Sequence, residues 1–299
     1  MRRVSGFVLG MLLAGTCACV AAGQEKAAGS SPIPKVLQIT REFVKPGKAG
    51  MAHEKAESAF LDAMSRAKWP THYIGMTSLS GKSRALFLTS YDSFEAWEKD
   101  VDAVGKNATL SGSLDRAYMA DGELLESVDQ GVFYFHEEMS LRPRPDLSQM
   151  RFLEVTVFHV KPGKDKEWTE VVKMAKAGYE KASPEAHWGM FEQVYGGDGG
   201  TYLLLSSHKS LAEVDKGFAE GKAFEAAMGE AGMKKLDELY GGSVEGSQQQ
   251  LFAFNPHMSY VSDEWIKASP DFWNIKKTAG AGAKAPAAKA ATTDKKEKQ

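Results

Sequence analysis

A twelve-residue string occurs twice in this chain. Leu37 to Lys48 reads LQITREFVKPGK and Leu153 to Lys164 reads LEVTVFHVKPGK, a shift of 116 between Lys48 and Lys164. Each copy is an alternating apolar run stopped by Pro-Gly, the pattern of a strand that ends in a turn and launches a helix. The ends of the two halves match as well. GVFYFHEEMS sets Phe135, Met139 and Ser140 beside Phe254, Met258 and Ser259 of QLFAFNPHMS. A chain with such a repeat folds as two related units.

Each half reads in the same order. In the first, Val36 to Val44 is a strand, and Ala52, Ala56, Phe60, Ala63, Met64 and Ala67 mark one helical face. Strands follow over His72–Leu79 and Ala85–Tyr91. An Asp92/Glu95 capping box opens helical sequence, which breaks near Gly105 and resumes over Leu114–Val128. Val132 to Met139 closes the half. In the second, strands fall over Arg151–Val160, Ala186–Tyr195, Tyr202–His208 and Leu251–Met258. Trp168, Val171, Val172, Ala175 and Tyr179 mark the first helix, and Gly241-Gly242 ends the later ones. Strand, helix, two strands, helix, strand is the ferredoxin-like order, which leaves one sheet face bare. Two bare faces in one chain bury each other best by closing into a barrel.

With both VKPGK strings in place, the chain resembles the dimeric α/β-barrel superfamily, which includes antibiotic-biosynthesis-type monooxygenases and NIPSNAP-like proteins. The resemblance covers Val36 to Ser262. It implies an α+β fold of two tandem β-α-β-β-α-β repeats packed sheet to sheet, an intramolecular dimeric α/β barrel that is a monomer with an internal pseudo-dimer. It also implies a ligand pocket between sheet and helices in each half. Active members carry out cofactor-free oxygenation, haem-dependent chemistry or lactone isomerisation, but no catalytic constellation of theirs maps onto either copy.

The rest of the chain frames the repeats. Residues 1–22 read as a signal peptide, with Arg2 and Arg3 before a short apolar stretch and Val20-Ala21-Ala22 at the cleavage point. An exported, periplasmic or extracellular protein is expected. Cys17 and Cys19 lie in this segment and fit a lipid-anchoring box poorly, so the mature chain carries no thiol and no disulfide. Residues 23–35 read as a linker, 36–145 and 151–262 as the two repeats, 263–277 as an extension packed on the body, and 278–299 as a disordered Ala/Lys-rich tail. A net charge of −2 and pI near 6.4 argue against nucleic acid as a partner, and no segment of the mature chain reads as membrane-spanning.

Candidate chemistry rests on polar residues within strands. Parity places Tyr134, His136 and Glu138 opposite Phe133, Phe135 and Met139, and Asn255 and His257 opposite Phe254 and Met258. His72 and His187 stand at matching points of the second strands. His72, His136, Glu138, His187 and His257 are therefore the candidate pocket lining. Glu42, Glu137, Glu138 and Glu154 can act as acid or base if buried. There is no HxxxH, HxH or HExxH string and no His/carboxylate spacing of a local metal site, so neither a metal nor a resident cofactor is predicted, with haem as the alternative. GxSxG is absent. These residues point to an exported protein that binds a small apolar or aromatic molecule, with a cofactor-free or haem-dependent monooxygenase-like enzyme as the alternative.

Overall fold

The computed structural model describes residues 33–143 and 146–275. The signal peptide, most of the linker, Arg144 and Pro145 at the end of the first repeat, and the Ala/Lys-rich tail lie outside the described residues. Eight strands form one closed antiparallel barrel: β1 (Val36–Val44), β2 (Tyr73–Ser78), β3 (Arg84–Tyr91), β4 (Leu125–Leu141), β5 (Phe152–Val160), β6 (Trp188–Tyr195), β7 (Thr201–His208) and β8 (Val244–Phe254). Their order around the barrel is β1-β3-β2-β8-β5-β7-β6-β4. Each half supplies four neighbouring strands, and two seams, β2–β8 and β4–β6, join the halves. This is the dimeric α/β-barrel arrangement with both partners in one chain.

Alternation along the strands explains why the barrel closes. Leu37, Ile39, Leu86, Phe133, Leu153, Val155, Leu203, Phe252 and Phe254 all point inward and pack as one cluster. At about 25 cal/mol per Å² of apolar surface removed from water, neither half can leave such a face bare. Trp273, from the short helix Pro270–Trp273, joins the same cluster and donates from Nε1 to Ser148 O at 2.7 Å.

The helices cover the outside. In the first half these are α1 (Met51–Ala67), α2 (Phe94–Lys106) and α3 (Ala108–Gly122), and in the second α4 (Asp165–Ala182) and α5 (Leu211–Ser243), the last broken at Gly229. Asn107 caps α3 by accepting from Leu110 N, and Ser93, rather than Asp92, caps α2 by accepting from Ala96 N.

Three readings change. β4 begins at Leu125, where helix was expected, because Ser127 to Tyr134 pair with β1 and strand pairing overrides local helix propensity. Parity along β4 does not run to its end. An irregularity between His136 and Leu141 turns Met139 and Leu141 outward into the second-half helix core, away from Phe133. β8 stops at Phe254, and Pro256–Met258 forms a 3₁₀ turn, so alternation assigns no face to His257.

At the β2–β8 seam the turn crosses β2 at Gly75, where a Cβ would sit 2.2 Å from Met258 O. Gly75 N donates to Ser259 Oγ, and Asn255 N donates to Gly75 O at 2.9 Å. Gly75→Ala is expected to force the halves apart locally. The cost is about 1–3 kcal/mol, read as a lower urea midpoint with little change in m-value.

Candidate functional site

The outer face of the first-half sheet does not pack tightly on its helices. A cavity of about 340 Å³ remains between β1–β4 and helices α1–α3, at the small end of the range for ligand pockets. Phe60, Trp69, Tyr73, Phe87, Trp97 and Tyr118 supply an aromatic wall. Near Trp97, Asp100 accepts from Trp69 Nε1 (2.8 Å), Thr71 Oγ1 (2.6 Å) and Tyr91 Oη (3.1 Å), which fixes three wall residues. Burial and the neighbouring Asp100 push the Tyr91 hydroxyl's pKa up, so it stays a donor.

At the floor, Glu42 and Glu57 reach the cavity and meet His53 and Asp121 behind them. β1 positions Glu42. The buried stripe of α1, spaced His53, Glu57, Phe60, Ala63, turns His53 and Glu57 to the sheet, and Asp121 comes from the last turn of α3. His53 Nε2 lies 3.1 Å from Glu42 Oε2, 3.4 Å from Asp121 Oδ1 and 3.8 Å from Glu57 Oε1. All four residues are at most 5% exposed. Glu57 Oε1 and Asp121 Oδ1 are buried without a hydrogen-bond partner, as is Tyr73 Oη on the cavity wall. Burial, then the charges of Glu42 and Asp121, raise the Glu57 carboxyl from 4.5 to about 10. Burial and Glu42 raise Asp121 to about 6.

The second half carries apolar side chains at the matching positions. Phe158 occupies the register position of Glu42, each two residues before the valine that ends its strand. Trp168 and Val172 match His53 and Glu57 in the buried helix stripe, and Tyr240 matches Asp121, each four residues before the strand that follows. Phe158, Trp168, Val172 and Tyr240 are all buried in one apolar cluster. Phe158 packs on Trp168 at 5.0 Å between ring centroids, and Trp168 packs on Tyr202 at 5.4 Å. Aromatic rings take up the space that stays open in the first half.

The five residues chosen from the sequence lie elsewhere. His136 is partly buried on the outer face of β4, with Nδ1 2.9 Å from Glu138 Oε1 and Nε2 2.8 Å from Glu192 Oε2. His187 binds the carbonyls of Glu185 and Ser207 at 3.0 and 3.1 Å. His72 is exposed and stacks on Tyr260, and His257 is exposed in the 3₁₀ turn. The structure brings together only His136 and Glu138 of the five, and none lines the cavity. Of the four carboxylates considered as acids or bases, Glu42 and Glu154 are buried. Sequence reasoning missed His53, Glu57 and Asp121. The signal was the His53-x-x-x-Glu57 spacing, which puts an imidazole and a carboxylate on one helix face.

Nitrogen and oxygen donors of this kind suit a divalent ion such as Mn²⁺, Fe²⁺ or Zn²⁺. The residues lining the cavity include no histidine or cysteine, the commonest haem ligands, and His53 lies behind two carboxylates. No known sequence family matches the chain, and no curated protein does. Solved structures of similar shape were found. A provisionally assigned monooxygenase from Fusobacterium nucleatum subsp. nucleatum ATCC 25586 has a TM-score of 0.49 at 12% identity, over 74% of this chain and 93% of that one. An anthrone oxidase-like protein has a TM-score of 0.45 at 12% identity, over 74% and 92%. A heme-binding protein from Thermus thermophilus has a TM-score of 0.43 at 11% identity, over 79% and 95%.

The quartet makes stability depend on pH in a definite direction. Unfolded Glu57 ionises near 4.5 and folded Glu57 near 10, so its contribution is complete below pH 4.5 and is lost as pH rises toward 10. In EDTA-treated protein, Glu57→Gln is expected to gain on the parent chain by roughly 1 kcal/mol per pH unit at most between pH 5.5 and 8. Urea titrations at the two pH values measure the difference; parallel pH profiles would contradict the assignment.

Proposed function

We propose that the chain is an exported monomer that binds one small apolar or aromatic molecule in the cavity of its first half. The observation that carries this reading is the contrast between the halves. The same framework is filled by Phe158, Trp168 and Tyr202 on one side, and on the other it keeps about 340 Å³ open beneath an aromatic wall. Trp69 and Trp97 offer flat apolar surface, and Tyr73 Oη offers a buried hydroxyl with no partner of its own. A ring carrying one hydroxyl or amino group satisfies both. Export is supported by Arg2, Arg3 and the Val20-Ala21-Ala22 site.

A second reading, a cofactor-free enzyme of the oxygenase type, draws on the cavity floor. Glu42, hydrogen-bonded to His53, reaches the cavity beside Glu57, so a base and a protonated carboxyl sit within reach of one bound molecule. A phenolic ligand placed there would be held for proton abstraction. Oxygen uptake on adding such a ligand separates this reading from simple binding.

Quenching of tryptophan fluorescence by a panel of one- and two-ring phenols and anilines tests the proposal. One saturable site per chain is expected. Tyr73→Phe is expected to weaken the best phenol by up to about tenfold, since the hydroxyl's bond is worth about 0.5–1.5 kcal/mol. Absence of saturable binding across the panel, or binding at two equal sites, contradicts it.

A further inference from the structure

We propose that Glu42, His53, Glu57 and Asp121 form a binding site for one divalent transition-metal ion at the floor of the first-half cavity. The four residues each offer a ligand atom, and these atoms all lie within 4.8 Å of one another. Ions of this class bind nitrogen and oxygen at roughly 2.0–2.2 Å, which places neighbouring ligand atoms about 3 to 3.5 Å apart around the ion. The 3.1, 3.4 and 3.8 Å separations from His53 Nε2 to the three carboxylates are close to that spacing. Small side-chain movements complete the shell.

Two independent observations point to a ligand here. Glu57 Oε1 and Asp121 Oδ1 are buried without a hydrogen-bond partner, on side chains only 4% and 2% exposed, and both are aimed at His53 Nε2. Polar atoms in that position cost free energy unless something bonds them. The second observation is the chain's own comparison. Phe158, Trp168, Val172 and Tyr240 fill the matching positions, so the framework does not need a polar quartet to fold. The framework folds without these polar groups, and a divalent cation would supply bonds to the three carboxyl groups and one imidazole that no residue of the chain supplies.

The donor set selects among ions. One imidazole with three carboxylates and no thiolate suits Mn²⁺, Fe²⁺ or Zn²⁺ rather than Cu⁺. Glu42 and Glu57 line the cavity while His53 and Asp121 do not, so one side of the bound ion faces the space where a small molecule would sit. The site stands on the quartet alone and does not depend on which molecule the aromatic wall accepts.

The test is equilibrium dialysis of full-length, EDTA-stripped protein against Zn²⁺ and, separately, Mn²⁺, with bound metal counted by mass spectrometry and thermal unfolding followed in parallel. One ion per chain is expected, with an unfolding midpoint that rises as metal is added. Asp121→Asn and Glu57→Gln each keep side-chain volume and are expected to lower affinity at least tenfold and to abolish the midpoint shift. His136→Asn, which changes the partly buried His136 of the His136–Glu138–Glu192 group, is expected to leave both readouts unchanged. Circular dichroism confirms that each variant is folded, and either quartet variant alone suffices. The proposal is overturned if the parent chain retains no metal, or if folded Asp121→Asn and Glu57→Gln bind as the parent does. It is equally overturned if His136→Asn is the variant that loses the ion. Loss of metal binding with intact phenol binding would leave the cavity reading standing.

Discussion

Everything in this molecule follows from two sheet faces that cannot be left in water. Once they close on one another, the barrel interior is a largely apolar core, with Phe133, Phe191 and Phe252 among its buried side chains. Space for a ligand is then found outside the barrel, where helices lie on the sheet's second face. The seams that hold the halves together differ in extent. β4 and β6 pair from Val132 to Leu141 on one side, whereas β2 and β8 share only the Met76 to Ser78 register on the other. The shorter seam is reinforced by the chain crossing at Gly75, through Ser259 and Asn255.

Duplication lets one half act as a control for the other. The second half packs aromatic rings at the positions where the first keeps Glu42, His53, Glu57 and Asp121. Tyr179 stacks on Phe224 at 4.5 Å in this filled half, and contacts of this kind contribute about 0.5–1.5 kcal/mol beyond the area they bury. A buried ionic cluster costs several kcal/mol per ion to desolvate and recovers that only with good geometry. In the first half such a cluster is held between Glu42, His53, Glu57 and Asp121.

Much of the fold was legible because it is written in period-two alternation and in the repeated VKPGK turn, which owe little to distant contacts. Boundaries failed where pairing overrode local preference, as at Leu125, and where an irregularity reversed the parity of Met139. The site was harder to read for a different reason. Its residues come from β1, α1 and α3, so only the His53–Glu57 pair is local, and the apolar stripe drawn through Ala52 and Ala56 hid it. The buried stripe runs one position further on, through His53 and Glu57. Asp121 carried no signal at all, since its role appears only when α3 packs across α1. The chosen histidines were conspicuous as matched pairs, but matching between halves tracks what the framework needs. The proposed site lies at positions where the halves differ.

The most direct measurement replaces the quartet with its own counterpart. A chain carrying Glu42→Phe, His53→Trp, Glu57→Val and Asp121→Tyr should fold to the same barrel, because the second half already does so with those residues. The account predicts a urea midpoint at pH 8 equal to or above that of the parent, with loss of phenol binding in the cavity. A folded chain that binds as before, or a fall in stability of more than about 3 kcal/mol, the scale of breaking a buried ion pair, would show that the quartet is part of the framework rather than a site built upon it.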